Sequence, residues 1–307
     1  MKYSFVMPAY KASFIREAID SILYQTFRDF ELIIVDDASP EDIESIVSSY
    51  HDPRLIYYKN PNNIGGKDLV SQWNHSISFA KGEYLILASD DDIYNADYLA
   101  NIDILTNEYP SVNIYRTLLR KIDTMGNVIM EEKPGVGPYL TKNLFLEAFS
   151  CGRLYSGIPQ YTFKASVLKA LGGFVSFPMG WFSDDATATI LADKGIAICN
   201  KVLFSMRASG INISTMRNSR VAIEKKTEAT IAYVDLMSRL TSGDTYLRLV
   251  HRAKEIESIT LNDASLIRLL LSLRQMHSAN PYAFPVRWCC SRILDYLSKT
   301  IGYNKYA

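Results

Sequence analysis

Tyr84-Leu85-Ile86-Leu87-Ala88-Ser89-Asp90-Asp91-Asp92 is the stretch that decides the fold. Its apolar run, opened by Gly82, reads as a strand buried on both faces, the kind found inside a sheet covered by helices. Ligand crevices of open α/β sheets form at the carboxyl ends of such strands, and the three acids follow directly. Adjacent carboxylates repel one another, and a hard divalent cation such as magnesium or manganese relieves this while carrying a phosphate on its other face. A solvated turn capping a helix near Ala96, with Asn95 or Asp92 as N-cap, is the competing account.

Upstream the pattern repeats. Ser4-Phe5-Val6-Met7 reads as a strand and Pro8-Ala9-Tyr10-Lys11 as a loop, with Ser13 the candidate cap of a helix reaching about Tyr24. Phe30 to Val35 is a second strand ending in Asp36-Asp37, and Ser39-Pro40 opens a helix over Glu41 to Tyr50. Leu55 to Tyr58 is a third strand, and a helix from about Asp68 to Ala80 leads back to the opening stretch. Alternating strands and helices predict a mostly parallel sheet flanked by helices, an α/β fold.

Two acidic groups therefore face one crevice beside the Pro8-Ala9-Tyr10 loop. A nucleotide needs an acceptor for a base N–H, a flat surface for the ring and a cation for its diphosphate. Asp37, Tyr10 and the acidic triplet can supply these. A capped turn before Ser39-Pro40 also accounts for Asp36-Asp37, and an aromatic packed on the sheet edge also accounts for Tyr10.

The totals narrow the classes. With 33 basic and 33 acidic residues among 307, binding to nucleic acid through bulk charge is disfavoured. The charge is uneven: residues 216–307 hold 14 basic against 8 acidic side chains, leaving 19 against 25 upstream. Cys151, Cys199, Cys289 and Cys290 have neither zinc spacing nor the look of a disulfide framework, which fits a reducing compartment. His51, His75, His251 and His277 are scattered. No signal peptide is evident, and no stretch reaches the roughly 18 to 20 apolar residues that span a bilayer. Gly135-x-Gly137 lacks the third glycine of a dinucleotide fingerprint, and no P-loop occurs.

Val6-Met7-Pro8-Ala9-Tyr10, the run from Ile15 to Phe27, and Asp29-Phe30-Glu31-Leu32-Ile33-Ile34-Val35-Asp36-Asp37-Ala38-Ser39 together resemble the opening of family 2 glycosyltransferases. Pro61-Asn62-Asn63-Ile64-Gly65 with Asn74, and Lys81-Gly82-Glu83-Tyr84 leading into the triplet, extend the likeness over roughly residues 3–210. The resemblance implies the GT-A fold, the nucleotide-diphospho-sugar transferase type. It assigns nucleoside contacts to Pro8, Ala9, Tyr10 and Asp37, and ribose and metal to the acidic motif. The family usually spells that motif Asp-x-Asp-Asp, and here Ser89 stands at the first Asp. Position then puts Asp91 and Asp92 on Mn2+ or Mg2+ and Asp90 toward the ribose. Lys67 is the counterpart of a basic residue that touches the nucleotide in some relatives, or else an exposed helix start.

Past Pro110 the character changes. Val112 to Leu119 is strand-like and Asp123-Thr124-Met125-Gly126-Asn127 is a turn between antiparallel strands. Trp181-Phe182-Ser183-Asp184-Asp185 precedes a helical run closed by Lys194-Gly195. It resembles the family's acidic pair, whose second member is the catalytic base, so the resemblance gives that role to Asp185 with Asp184 beside it; capping by Ser183 or Asp184 is the plainer account. Gly172-Gly173-Phe174 fits the family's acceptor-side turn or a simple packing turn. From Asn218 the pattern is helical: Ala222 to Leu240, Thr245 to Glu257, Asp263 to Met276 and Phe284 to Lys299.

The expected organisation is a transferase domain over 1–215, with a nucleotide half (1–110) and an acceptor half (111–215), followed by a helical region over 216–307. Its last helix, with Arg287, Trp288, Arg292 and Lys299, either packs on the body or lies on an anionic membrane surface. The expected activity is inverting, metal-dependent sugar transfer from a UDP-sugar to a glycan or lipid-linked acceptor in bacterial surface polysaccharide synthesis. The expected place is the cytoplasm, peripheral at the inner membrane face. A sugar-nucleotidyl transferase, for which the first loop lacks glycines, and a non-catalytic nucleotide-sugar-binding subunit are the alternatives.

Overall fold

The computed structural model describes residues 1–150 and 154–210, together with 225–226, 228–229, 232–233, 236–237 and 239–240. It divides into two compact units, one of residues 1–145 and 155–215, the other of 146–154 and 216–307.

The first unit is built on β1 (Tyr3–Ala9), α1 (Ile15–Leu23), β2 (Phe30–Asp36), α2 (Ile43–Ser48), β3 (Leu55–Lys59), α3 (Leu69–Ile77) and β4 (Tyr84–Leu87). There follow β5 (Ile93–Tyr94), α4 (Tyr98–Glu108), β6 (Ile114–Ile122), β7 (Val128–Glu131) and β8 (Tyr139–Leu140). A helix, α5 (Lys142–Ser150), crosses into the second unit; β9 (Tyr161–Lys164), α6 (Ala165–Ala170), α7 (Ser183–Leu191) and β10 (Ile196–Arg207) complete the first. The strands form one sheet in the order β3-β2-β1-β4-β9-β6-β10-β5, with β7 on β6 and β8 on β10.

The order explains where the crevice lies. From β3 to β4 all neighbours are parallel. Then β9 runs antiparallel to both β4 and β6, while β6 and β10 are parallel. The parallel character thus belongs to the first half and the sheet is mixed beyond it. β9 is four residues long and carries no turn signal of its own, so its pairing depends on partners distant in sequence. The carboxyl ends of β1, β2 and β4 sit side by side, because Val6 pairs with both Ile33 and Leu87.

The buried runs in β1, β2 and β4 follow from their continuous apolar sequence, with helices on the sheet's faces. Ile15, Ala18, Ile19, Ile22 and Leu23 recur at helical spacing and are buried, giving α1 its core-facing stripe. Asp68 caps α3 by accepting from Val70 and Ser71, and Asp42 caps α2 by accepting from Ser45.

Several boundaries differ from the expectation. β1 continues through Pro8 and Ala9 because both pair with β2. α1 starts after Phe14, with no side-chain cap from Ser13, since the Phe14 ring lies under the Arg207 guanidinium at 4.3 Å and tertiary contact sets the helix start. Neither Asn95 nor Asp92 caps α4, whose N-cap is Asp97. The Asp123 turn is as expected, its carboxylate accepting from the backbone of Met125 and Asn127.

In the second unit, Ala229, Tyr233 and Met237 are buried at four-residue spacing on helical residues within the run expected from Ala222 to Leu240. The three later helices and the basic membrane-facing surface lie outside the described residues. Among the described residues, no helix is long and apolar enough to cross a membrane.

Candidate active site

Asp37 is the first node. It follows β2, its N–H donates to the Ala9 carbonyl, and its buried carboxylate accepts from Asn60 Nδ2 (2.8 Å), Ile64 N (2.9 Å) and Gly65 N (2.7 Å). An ionised carboxylate has about four acceptor positions, so one is left for a further N–H. Ala38, with φ 52°, holds the left-handed turn that swings Asp37 out of the strand. A Cβ at Gly65 would meet Asp37 Oδ2 at 3.0 Å, which explains the glycine where backbone and carboxylate meet. Asp36 is committed elsewhere, its oxygens taken by Ser39 N (2.8 Å) and Tyr57 Oη (2.7 Å). The capped-turn account therefore fits Asp36, whereas Asp37 is turned toward the Asn60 to Gly65 loop.

The Asn60 amide orientation is fixed by its partners. Its nitrogen donates to Asp37 and also to Gln72 Oε1 (3.0 Å), while its oxygen meets His75 Nε2 (3.1 Å). His75 is thus a donor into a polar chain that ends on Asp37.

Asp90 ties the acidic loop to the first loop: its Oδ2 accepts from the N–H groups of Tyr10 (3.0 Å) and Lys11 (2.9 Å). Burial pushes its carboxyl pKa up, and those two bonds oppose the rise. Tyr10 itself is 41% exposed and projects its ring from this loop. The Ser39 hydroxyl donates to the Tyr10 carbonyl at 2.7 Å, so the ends of β1, β2 and β4 are bound into one unit.

Asp91 and Asp92 divide in role. Asp92 Oδ1 accepts from Arg207 N (2.8 Å), and burial first, then the charge of Asp91, raises its pKa well above the ordinary carboxylate range. Asp91 accepts from the hydroxyls of Ser89 (3.0 Å) and Ser209 (3.2 Å). Arg207 holds both from behind: its Nε donates to the Asp91 carbonyl (3.0 Å) and its Nη2 to Glu17 (2.6 Å). Among the described residues there is no cluster of three or more His, Cys, Asp or Glu that could hold a metal. Magnesium-type cations are commonly held by one or two carboxylates plus substrate phosphates. Asp91, whose oxygens accept from two hydroxyls among the described residues, fits that pattern.

Asp184 and Asp185 occupy the first turn of α7. Phe182 turns the chain into the helix with φ 65°, and Phe177 N donates to Ser183 Oγ (3.2 Å), so the helix is fixed without a side-chain cap at its start. Asp184 Oδ1 accepts from Asp185 N at 2.9 Å. Burial raises the Tyr161 phenol pKa, and the charges of Asp185 and Asp184 add to the rise.

α3 connects the two regions. Gln72 reaches the Asp37 node, Trp73 and Leu69 pack against Gly180, and Asn74 clamps the Gly172-Gly173-Phe174 turn. Asn74 Oδ1 accepts from Phe174 N (2.7 Å) and its Nδ2 donates to Phe174 O (3.1 Å). Gly173 has φ 100°, and a Cβ there would collide with the Asn74 side chain. Gly173→Ala should therefore lower stability by about 1–3 kcal/mol, and Asn74→Ala by a similar amount through two orphaned backbone groups. Urea unfolding checks both; an unchanged midpoint would contradict the clamp.

Lys67 lies exposed at the approach to α3, its N–H donating to the Ile64 carbonyl at 3.0 Å, which matches the helix-start account. The residues sequence reading missed are Arg207, Asn60 and Gln72. Arg207 is a single basic residue more than a hundred positions from Asp91, Asp92 and Glu17, and no local spacing marks it.

The sequence profile described as Glycosyl transferase family 2 matches residues 4–131, the stretch that contains Asp37 and the acidic loop. The chain is 40% identical over 92 residues to an uncharacterized glycosyltransferase of Rickettsia typhi, covering 30% of this chain and 27% of that protein. It is 30% identical over 177 residues to the poly(ribitol-phosphate) beta-glucosyltransferase of Bacillus spizizenii, covering 55% of this chain and 26% of that one. The matched stretches thus span about a quarter of the length of these relatives. Among solved structures, S. aureus TarS 1-349 in complex with UDP-GlcNAc superposes with a TM-score of 0.72 at 17% identity, covering 99% of this chain and 93% of that one. The mannosyltransferase PcManGT from Pyrobaculum calidifontis, in complex with GDP-Man and Mn2+, gives 0.53 at 17% identity, covering 97% and 88%. The fold is the mixed α/β, GT-A type of these solved structures, a central sheet flanked by helices. Over residues 4–131 the chain is similar to glycosyl transferase family 2.

Proposed function

We propose that this chain is an inverting, metal-dependent glycosyltransferase that moves a sugar from a nucleoside-diphospho-sugar, UDP-linked, to an acceptor hydroxyl. The observation that carries this reading is the Asp37 node bound through Ala9, Tyr10 and Asp90 to the acidic loop, with one acceptor position of Asp37 open. Asp37 accepts the imino N–H of the base, Tyr10 covers the ring, and Pro8 and Ala9 form the floor. Asp90 fixes the first loop and reaches the ribose; Lys67 flanks the nucleotide. Asp91, with Asp92 beside it, would hold Mn2+ or Mg2+, which neutralises charge building on the departing diphosphate.

Asp185 takes the proton of the acceptor hydroxyl, with Asp184 as its neighbour. The oxygen forms its bond to the anomeric carbon from the side opposite the diphosphate as the bond to phosphate oxygen breaks, so configuration inverts. The relatives' names and the solved complexes support a nucleotide-sugar donor and a glycan-type acceptor in surface polysaccharide synthesis. Work at the cytoplasmic membrane face on a lipid-linked or soluble glycan fits the same reading.

Incubation with Mn2+ and a panel of UDP-, GDP- and dTDP-sugars tests it. Free nucleoside diphosphate with inverted product is the expected outcome. Pyrophosphate release would instead identify a nucleotidyl transferase, and binding without turnover a non-catalytic subunit. Asp37→Ala should weaken UDP binding by on the order of tenfold or more, because a hydrogen bond to a charged group is lost from the base. Calorimetry of the variant checks this.

A further inference from the structure

A buried ion pair stands apart from the donor machinery. Arg116 and Glu132 are 0% and 1% exposed, with the guanidinium Nη2 on both carboxylate oxygens at 2.7 and 2.5 Å. Desolvating such a pair is costly, and apolar replacements often do as well, so it is weak evidence for stability. Its remaining hydrogen bonds show what it fixes. Glu132 accepts from the Tyr155 N–H at 2.6 Å, and Arg116 Nη1 donates to the Tyr155 carbonyl at 2.9 Å. Gln160 Nε2 reaches both Glu132 (3.2 Å) and the Thr117 carbonyl (2.9 Å), which pins the far end of the same loop.

The residue gripped in this way by both backbone groups has a side chain 41% exposed. Lys121 Nζ lies 5.6 Å from the centre of the Tyr155 ring. The neighbourhood is the proposed reaction side. Lys121 is registered with Met206 on β10, one residue before Arg207, which holds Asp92. A Cβ at Gly157 would meet Met206 Sδ at 3.2 Å. Ser156 Oγ is 3.3 Å from Tyr161 Oη, and because β9 runs antiparallel to β4, its start at Tyr161 lies at the end of β4 that leads into the acidic loop. An immobilised, exposed aromatic ring offers its uncovered face to a sugar or polyol, and the Lys121 ammonium over the ring offers charge to an anion.

We infer that Tyr155 is the stacking platform for the acceptor and that Lys121 selects acceptors bearing a phosphate or carboxylate. This rests on the transferase reading and adds the acceptor's chemical class to it. Arg116 and Glu132 act as positioning residues that hold the Tyr155 backbone.

The test uses the full chain with Mn2+ and UDP present, and measures binding of ribitol 5-phosphate, glucose 6-phosphate and glucuronate against ribitol and glucose by saturation-transfer NMR and titration. At least one anionic probe is expected to bind fivefold or more tighter than its neutral counterpart in wild type. Lys121→Ala should erase that preference, and Tyr155→Ala should weaken both kinds of probe while Tyr155→Phe restores them. UDP affinity reports folding in every variant. Equal binding of charged and neutral probes, no binding of any probe, or a preference that survives Lys121→Ala would each overturn the inference. Loss of UDP binding in wild type would instead refute the transferase reading itself.

Discussion

Asp185→Asn should lower sugar transfer by about a hundredfold to ten-thousandfold, the range a positioned general base contributes, while the protein stays folded and binds UDP as before. The substitution keeps shape and removes the only proton-accepting group we assign to the acceptor oxygen. Asp185 also lies in the first turn of α7, where a negative charge stabilises the helix end, so a loss of about 0.3–1 kcal/mol is expected from that source alone. A fall in transfer that tracks unfolding would therefore point to the lost charge at the helix end. A fall at constant stability points to the base. Asp184→Asn should do less, since its carboxylate is bonded to the Asp185 backbone. Near-wild-type transfer by Asp185→Asn would remove Asp185 from the mechanism.

Asp91→Asn should reduce turnover on the order of a hundredfold or more, the equivalent of several kcal/mol of lost charge stabilisation at the diphosphate. Raising Mn2+ should recover part of it. Asp92→Asn should behave differently, because the Asp92 carboxylate already holds the Arg207 N–H and burial discourages its charge. Its loss is expected mainly as destabilisation of the β10 end, read by thermal unfolding. Equal effects on turnover and metal response from both variants would contradict this division of roles.

What could be read from the sequence was whatever a short window carries. The strand Tyr84–Leu87 and the Asp36-Asp37 terminus are marked by continuous apolar runs, whose burial depends on little beyond the neighbouring helices. The Asp123 turn closes on its own backbone and is equally local. β9 was not legible, because four residues become a strand only between β4 and β6. The same holds for the acidic triplet: three neighbouring carboxylates look alike until Tyr10, Arg207 and Ser209 each engage a different one. Asp36 and Asp37 are separated in role by Tyr57 on one side and Ile64 and Gly65 on the other. Those partners are set by the tertiary fold.

On the proposed reading, the acidic loop would hold the diphosphate through a cation on Asp91. Calorimetric titration of UDP into wild-type protein and Asp91→Asn, each with Mn2+ and with EDTA, tests it most directly. We expect wild-type affinity to rise about tenfold or more with Mn2+, and Asp91→Asn to bind UDP with the same low affinity in both conditions. Wild-type binding indifferent to EDTA, or an Asp91→Asn protein that keeps the full Mn2+ gain, would contradict the claim.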